Sequence, residues 1–305
     1  MKNLNKYRGV IPAFYACYDQ NGEISAEGVQ ALTKYFIEKG VKGVYVNGSS
    51  GECIYQTPAE RKKVLENVMK ANDGSLTVIA HVACNSTKES QELAAHAESL
   101  GVDAIAAIPP IYFKLPPYAI AKYWNDISAA APETDFVIYN IPQLAGVALT
   151  PALYAEMRKN PRVIGVKNSS MPVQDIQMFC ADGGEDHIVF NGPDEQFISG
   201  RLMGAQGGIG GTYGVMPELF LAMDKALTEG NHDLARAIQY DVNSIIYKMC
   251  EAHGNLYAVI KAILKENEGL DLGSVKAPLA PLAEEDMPIV KEAAAMIRAA
   301  KEKYI

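Results

Sequence analysis

A lysine that closes an apolar run is the most chemically suggestive residue of this chain. Val163-Ile164-Gly165-Val166-Lys167 reads as a buried strand ending on an amine. At pH 7 only about one lysine in ~10³ is deprotonated, so attack on a carbonyl needs a desolvated setting that lowers the pKa. A side chain reaching out to solvent is the other reading of such a position. Company at the ends of other apolar runs favours the first. Tyr139, in Tyr139-Asn140-Ile141-Pro142, offers a hydroxyl for proton transfer and needs a relay partner, its ordinary pKa being about 10. An aromatic filler is the alternative. Ser49 and Ser50, in Gly48-Ser49-Ser50-Gly51-Glu52, supply hydroxyls and backbone N–H groups that can converge on a carboxylate. An ordinary turn with a helix cap would look the same. Ser169 lies two residues beyond the lysine, and Gly192-Pro193-Asp194-Glu195 places adjacent acids after a glycine turn, suited to vicinal hydroxyls of a sugar. Asp194 also reads as a helix N-cap. The glycine-dense 207–214 segment, with Gly208 and Gly211, lets backbone approach a ligand closely. Tyr112 stands on the stiff platform Pro109-Pro110, with packing against a neighbouring subunit as its alternative role. Lysine, tyrosine, hydroxyl pair and acid pair form a coherent set for imine chemistry on a keto acid.

These residues need elements that bring them to one face. Short β-rich apolar runs fall at 9–15, 43–47, 76–82, 103–109, 136–141, 163–167, 188–191 and 206–210. Helical patterns begin between them near Ser25, Thr57, Ser86, Pro117, Thr150, Val173, Asp194 and Pro217. Thr57-Pro58-Ala59-Glu60 is a capping box with proline at N1, and Ser86 with Glu89 repeats the box. Gly40 and Gly101 stop helices. Eight strand–helix units predict an α/β fold, a (β/α)8 TIM barrel over 1–230. Helices at 231–252, 255–267 and 284–303 form a C-terminal helical extension over 231–305, packed on the barrel as one globular unit. In a TIM barrel the catalytic groups lie at the C-terminal ends of the strands, where six of the eight present polar or backbone-donor groups.

Composition removes other classes. The 305 residues are 49% hydrophobic and 21% charged, enough to build a core. A net charge of −8 without a basic run argues against nucleic acid. The longest apolar candidate, 104–113, is interrupted by Pro109 and Pro110, so no membrane span is expected. The N-terminal stretch lacks the apolar region of a secretion signal. Cys17, Cys53, Cys84, Cys180 and Cys250 are widely spaced and form no C-x-x-C pair, as in a reducing cytoplasm. The five histidines show no H-x-x-x-H spacing, so no protein-built metal site is expected. No G-x-G-x-x-G or G-K-[ST] motif supports a nucleotide.

Gly48-Ser49-Ser50-Gly51-Glu52, Tyr139-Asn140-Ile141-Pro142, Gly165-Val166-Lys167 and the 207–211 glycine run together resemble the N-acetylneuraminate lyase and dihydrodipicolinate synthase superfamily. The likeness spans essentially the whole chain. Leu144 stands where the synthase branch carries an arginine, and Gly192-Pro193-Asp194-Glu195 matches an element of the lyase branch. The resemblance implies a pyruvate-dependent class I aldolase, with N-acetylneuraminate cleaved reversibly to N-acetylmannosamine and pyruvate. It implies Lys167 as the Schiff-base nucleophile, Tyr139 as proton shuttle, and Ser49 and Ser50 as holders of the substrate carboxylate. Ser169, Gly192, Asp194, Glu195, Gly208 and Gly211 would orient the polyol, and Tyr112 would lie near an interface of a homotetramer. No metal or organic cofactor is implied, since the lysine activates the substrate covalently. Gly211 departs from a serine common in the lyase branch, which keeps a 2-keto-3-deoxy sugar acid aldolase open as an alternative. A dihydrodipicolinate synthase and a non-catalytic sugar-acid-binding barrel are the remaining alternatives.

Overall fold

The computed structural model describes residues 4–305. The chain packs as two compact units, one taking the residues through Ile11, Lys42–Val46 and Thr77–Gly210, the other Pro12–Val41, Asn47–Leu76 and Gly211–Ile305. The first holds the strands: β1 Gly9–Pro12 (its last residue apart), β2 Gly43–Val46, β3 Thr77–His81, β4 Ala104–Ala107, β5 Asp135–Asn140, β6 Val163–Asn168, β7 Ile188–Asn191 and β8 Gly207–Gly210. They form one sheet in the order β1-β8-β7-β6-β5-β4-β3-β2. The Lys42 N–H donates to Val10 O at 2.9 Å, tying β2 to β1 and nearly closing the ring. This is the (β/α)8 TIM barrel that the alternation predicts.

Helices α3 Thr87–Ser99, α4 Pro117–Ala129, α5 Pro142–Ala145, α6 Pro151–Met157, α7 Gln174–Gly183 and α8 Phe197–Leu202 belong to the same unit. The second unit holds α1 Ala26–Glu38, α2 Pro58–Asn72, α9 Pro217–Thr228, α10 His232–Met249, α11 Leu256–Glu268 and α12 Met287–Tyr304. Local chemistry sets these starts. Thr57 accepts the Glu60 N–H while Glu60 reaches back to Thr57, completing the capping box of α2. At Ser86 the hydroxyl accepts the Glu89 N–H, which caps α3.

The strands differ from their expected spans in ways that have physical causes. β1 stops at Pro12 and β4 at Ala107, because proline cannot donate to a ladder and Pro109-Pro110 follows β4 closely. β5 is shifted one residue back, to Asp135–Asn140, and β6 runs one residue further, to Asn168; the amide side chains that end the two strands bond to each other at 2.7 Å (Asn140 Nδ2 to Asn168 Oδ1). The one-turn α5, begun by Pro142, precedes the helix expected near Thr150. The helix expected from Asp194 opens as a 3₁₀ turn, Asp194–Gln196, before α8.

Inside the ring the strands bury Ile11, Ile79, Val137, Ile164, Ile188, Phe190 and Ile209 in a single core. Each such side chain contributes about 1.5–3 kcal/mol relative to exposure. The 3₁₀ turn Leu4–Tyr7 adds Leu4 and Tyr7 to that core. The Tyr7 hydroxyl donates to Asp103 O (2.6 Å) and Asp135 Oδ2 (2.9 Å), the residues at the starts of β4 and β5. Tyr7 thereby ties the N-terminal ends of β4 and β5 together. Among the described residues no helix is long and apolar enough to cross a membrane.

Candidate active site

A single backbone irregularity decides where Lys167 points. Phe136 pairs with Val163, but Val137 pairs with Gly165, so Ile164 is an extra residue in β6. Beyond this bulge Tyr139 lies opposite Lys167, and Asn140 opposite Asn168. Without it, Lys167 would pair with Asn140 and turn to the outer face, because a one-residue slip reverses side-chain direction. Gly165 makes the bulge possible: a Cβ there would fall onto the carbonyl oxygen of Ile188. Gly165→Ala should therefore cost about 1–3 kcal/mol of stability. It should also displace Lys167. A lower melting temperature together with weaker imine trapping is the expected result; an unchanged protein would show that β6 absorbs the methyl group.

Lys167 is 4% exposed. Its Nζ lies 3.9 Å from the ring centroid of Tyr139 and 4.3 Å from that of Tyr45. Tyr45 meets Tyr139 edge-on (5.7 Å, 80°), and the buried His81 meets Tyr139 edge-on as well (6.0 Å, 85°). Two aromatic faces hold the amine while it is protonated, and exclusion of water suits it to nucleophilic attack. Behind this cluster, Asn168 Nδ2 donates to Ser170 Oγ (2.9 Å), and Ser170 Oγ donates to Asp175 Oδ2 (2.6 Å). The backbone N–H of Ser169 bonds to Asn140 O and that of Gly192 to Asn168 O, at 2.7 and 2.8 Å. The ends of β5, β6 and β7 are thus cross-linked, and the Tyr139 and Lys167 side chains inherit that rigidity.

The other expected residues of this unit are distributed unevenly. Ser169 and Gly192 are half-buried and in close approach, since a Cβ on Gly192 would strike Ser169 Oγ. Asp194 is buried whereas Glu195 is exposed, so the acid pair divides into one inward and one solvent-facing carboxylate. Gly208 is buried in β8, paired with Asn191. Tyr112 is 89% exposed, in a left-handed conformation (φ 84°), with its ring on Phe113. It borders a surface groove of about 570 Å³ whose walls include Asn85, Phe113 and Tyr118 but neither Lys167 nor Tyr139.

Ser49 and Ser50 belong to the second unit, in the turn that the chain enters on leaving β2. Both ends of that turn are left-handed: Asn47 has φ 60° and Glu52 φ 56°. Asn47 Nδ2 holds one end by donating to Arg61 O at 2.9 Å. Ser50 Oγ donates to the Tyr257 hydroxyl at 3.2 Å, and Tyr15 donates to Gly211 O at 2.7 Å. A Cβ at Gly211 would stand 3.1 Å from Ser50 Oγ and 3.7 Å from the Tyr257 oxygen. Glycine at 211 therefore leaves room for the Ser50–Tyr257 bond. At the other end of the turn, Lys261 Nζ donates to Glu52 Oε1 at 2.8 Å. Burial pulls the Lys261 pKa below the usual lysine range, against the opposing pull of Glu52. Burial pushes the nearby Cys17 thiol up to about 12. All five cysteines carry thiols rather than disulfides.

Sequence reading missed Tyr45, His81, Tyr257 and the Glu52–Lys261 pair. His81 ends β3 as Lys167 nears the end of β6, so the same strand-end criterion could have found it. Tyr45 sits in a strand buried on both faces, where alternation gives no signal. Tyr257 and Lys261 lie on a helix more than 200 positions from their partners.

A parallel barrel with a buried lysine set between two tyrosines defines a lysine-bearing TIM barrel, a class suited to carbonyl chemistry. Within it, the chain belongs to the dihydrodipicolinate synthetase family, whose profile matches residues 6–297. It is 73% identical over 305 residues to an N-acetylneuraminate lyase of Mediterraneibacter gnavus, covering 100% of this chain and 97% of the relative. A solved catalytic-lysine mutant of the Ruminococcus gnavus sialic acid aldolase matches with a TM-score of 1.00 at 73% identity, covering both chains completely. The N-acetylneuraminate lyase of Proteus mirabilis matches with a TM-score of 0.89 at 28% identity, over 98% of this chain and 99% of that one.

Proposed function

We propose that this protein is a class I aldolase that cleaves N-acetylneuraminate reversibly to N-acetylmannosamine and pyruvate. The observation that carries the proposal is the buried Lys167 amine between the Tyr139 and Tyr45 rings. The full-length likeness to N-acetylneuraminate lyases supports the substrate.

In the proposed mechanism the neutral amine adds to the C2 ketone, and the carbinolamine loses water to give an iminium. Tyr139 relays the proton of the C4 hydroxyl, passing its own phenolic proton toward the substrate C1 carboxylate with the help of a serine hydroxyl as it accepts the new one. The C3–C4 bond breaks, its electron pair passing through C2 to the iminium nitrogen, and N-acetylmannosamine leaves as an aldehyde. Protonation of the enamine at C3 and hydrolysis return pyruvate and the free amine. The imine is itself the electron sink, so the route needs no organic cofactor or metal. Ser49 and Ser50, with backbone N–H groups, hold the C1 carboxylate. Ser169, Gly192, Asp194, Glu195 and the 208–211 backbone orient the polyol. Asp194 is the acid better placed to discriminate, because its carboxylate is buried whereas Glu195 faces solvent.

A substrate panel tests the assignment. N-acetylneuraminate should be cleaved with a kcat/KM at least about tenfold above that of shorter 2-keto-3-deoxy acids, the size of effect a lost buried polar contact produces. Preference for a shorter acid would transfer the assignment to the second reading, which Gly211 favours by presenting no side-chain hydroxyl. A cytoplasmic homotetramer completes the proposal. The exposed aromatic surface of Tyr112, Phe113 and Tyr118 supports assembly, and sedimentation as a monomer would remove that part of it.

A further inference from the structure

The turn that carries Ser49 and Ser50 is gripped at two points by one helix. Tyr257 and Lys261 stand four residues apart on α11, one above the other on the same helical face. The Tyr257 hydroxyl meets Ser50 Oγ, and Lys261 Nζ meets Glu52 Oε1. The Glu52 and Lys261 side chains are 0% and 1% exposed. Every strong bond of this pair is directional. Lys261 Nζ also donates to Ser274 O at 2.7 Å, while Glu52 Oε2 accepts from the Lys276 N–H at 2.7 Å and from the Tyr18 hydroxyl at 3.3 Å. Gln56 Nε2 in turn donates to that hydroxyl at 3.0 Å.

A buried ion pair adds little net stability over a well-packed apolar pair of the same volume, so stability alone does not account for this one. What it supplies is orientation. Glu52 closes the turn by donating its N–H to Ser49 O at 3.0 Å, in a left-handed conformation that a non-glycine residue adopts only when its surroundings hold it there. Rotation at Glu52 would tilt the hydroxyls of Ser49 and Ser50 and the amide groups between them.

We infer that Glu52 and Lys261 are positioning residues that set affinity for the substrate carboxylate through Ser49 and Ser50, without touching the substrate. The inference rests on the proposed reading of those serines as the carboxylate holders. It makes the C-terminal helices part of the machinery of recognition rather than only a scaffold.

Pyruvate saturation in the condensation direction, with N-acetylmannosamine, tests it. The double variant Glu52→Gln/Lys261→Met removes both charges, so no unpaired ion is left buried. Its KM for pyruvate should rise about tenfold, as expected when charge-assisted bonds to the carboxylate lose alignment, while kcat changes less than about threefold. In a Ser49→Ala/Ser50→Ala background the same double change should raise KM by less than about twofold, because a residue acting through the serines has nothing left to act on. A purely structural role would instead give an additive loss, and that result overturns the inference. So does an unchanged KM in the wild-type background. If the double variant fails to fold, Glu52→Asp decides the matter: it keeps both charges and a residue at ease in the left-handed region, but withdraws the carboxylate by one methylene. It should raise KM in the same serine-dependent way, and no rise overturns the inference. An unchanged pyruvate KM in the serine variant alone overturns the carboxylate reading itself, and the inference with it.

Discussion

Lys167→Ala should abolish the adduct that borohydride traps with pyruvate, and should lower N-acetylneuraminate cleavage by at least roughly 10³-fold, because covalent activation is removed outright. Among the described residues the buried lysines are Lys167 and Lys261. Lys261 is engaged by Glu52 and Ser274 O, so it is held away from this role. The barrel should survive the change. The Ruminococcus gnavus sialic acid aldolase lacking its catalytic lysine has a solved fold that matches this chain with a TM-score of 1.00. Loss of activity can therefore be read as loss of chemistry once the melting temperature is shown to be near that of wild type. Intact-protein mass spectrometry after reduction gives the decisive reading. An adduct that persists in the alanine variant would place the imine on another residue and dismantle the proposed mechanism.

Tyr139→Phe separates binding of the carbonyl from cleavage. The phenylalanine ring keeps the aromatic face that lies 3.9 Å from Lys167 Nζ and the edge contact with His81. Imine formation with pyruvate should accordingly remain within a few-fold of wild type. Only the hydroxyl is lost, and with it the proposed relay for the C4 proton. General acid–base groups contribute about 10²–10⁴-fold, so kcat for cleavage should fall by that order. Rapid-quench measurement of the imine beside steady-state kcat distinguishes the two steps. An unchanged kcat would remove Tyr139 as the proton shuttle, and an equal loss of imine would recast it as a residue that prepares the lysine.

The fold was legible because its signals are local and repeated. Capping residues such as Thr57 and Ser86, and the stop at Gly101, mark element ends without reference to the rest of the chain. Lys167 and Tyr139 could be picked out because a polar residue at the end of an apolar strand is conspicuous. Their side-by-side placement was not legible. It depends on the extra residue Ile164, and a bulge is a property of two paired strands rather than of one. The partners of the serine turn were hidden for a related reason: Glu52 meets Lys261 across 209 positions, with no periodicity linking the two. The acid pair shows the opposite error. Asp194 and Glu195 are adjacent in sequence, but the 3₁₀ turn that begins there sends them to different surroundings.

The neighbourhood of β1 and β8 in the ring has a consequence for biogenesis. The first strand pairs with the last, and the Gly9 N–H donates to Gln206 O at 3.2 Å. During synthesis at roughly 5–20 residues per second, β1 is made about 10–40 s before the strand it must join. Emergence of β8 from the ribosome is thus the earliest moment at which the ring can shut, and a nascent chain halted before Gly207 exposes an unpaired edge on β1 and another on β7. For this protein, completing the sheet is almost the same event as completing translation of the barrel.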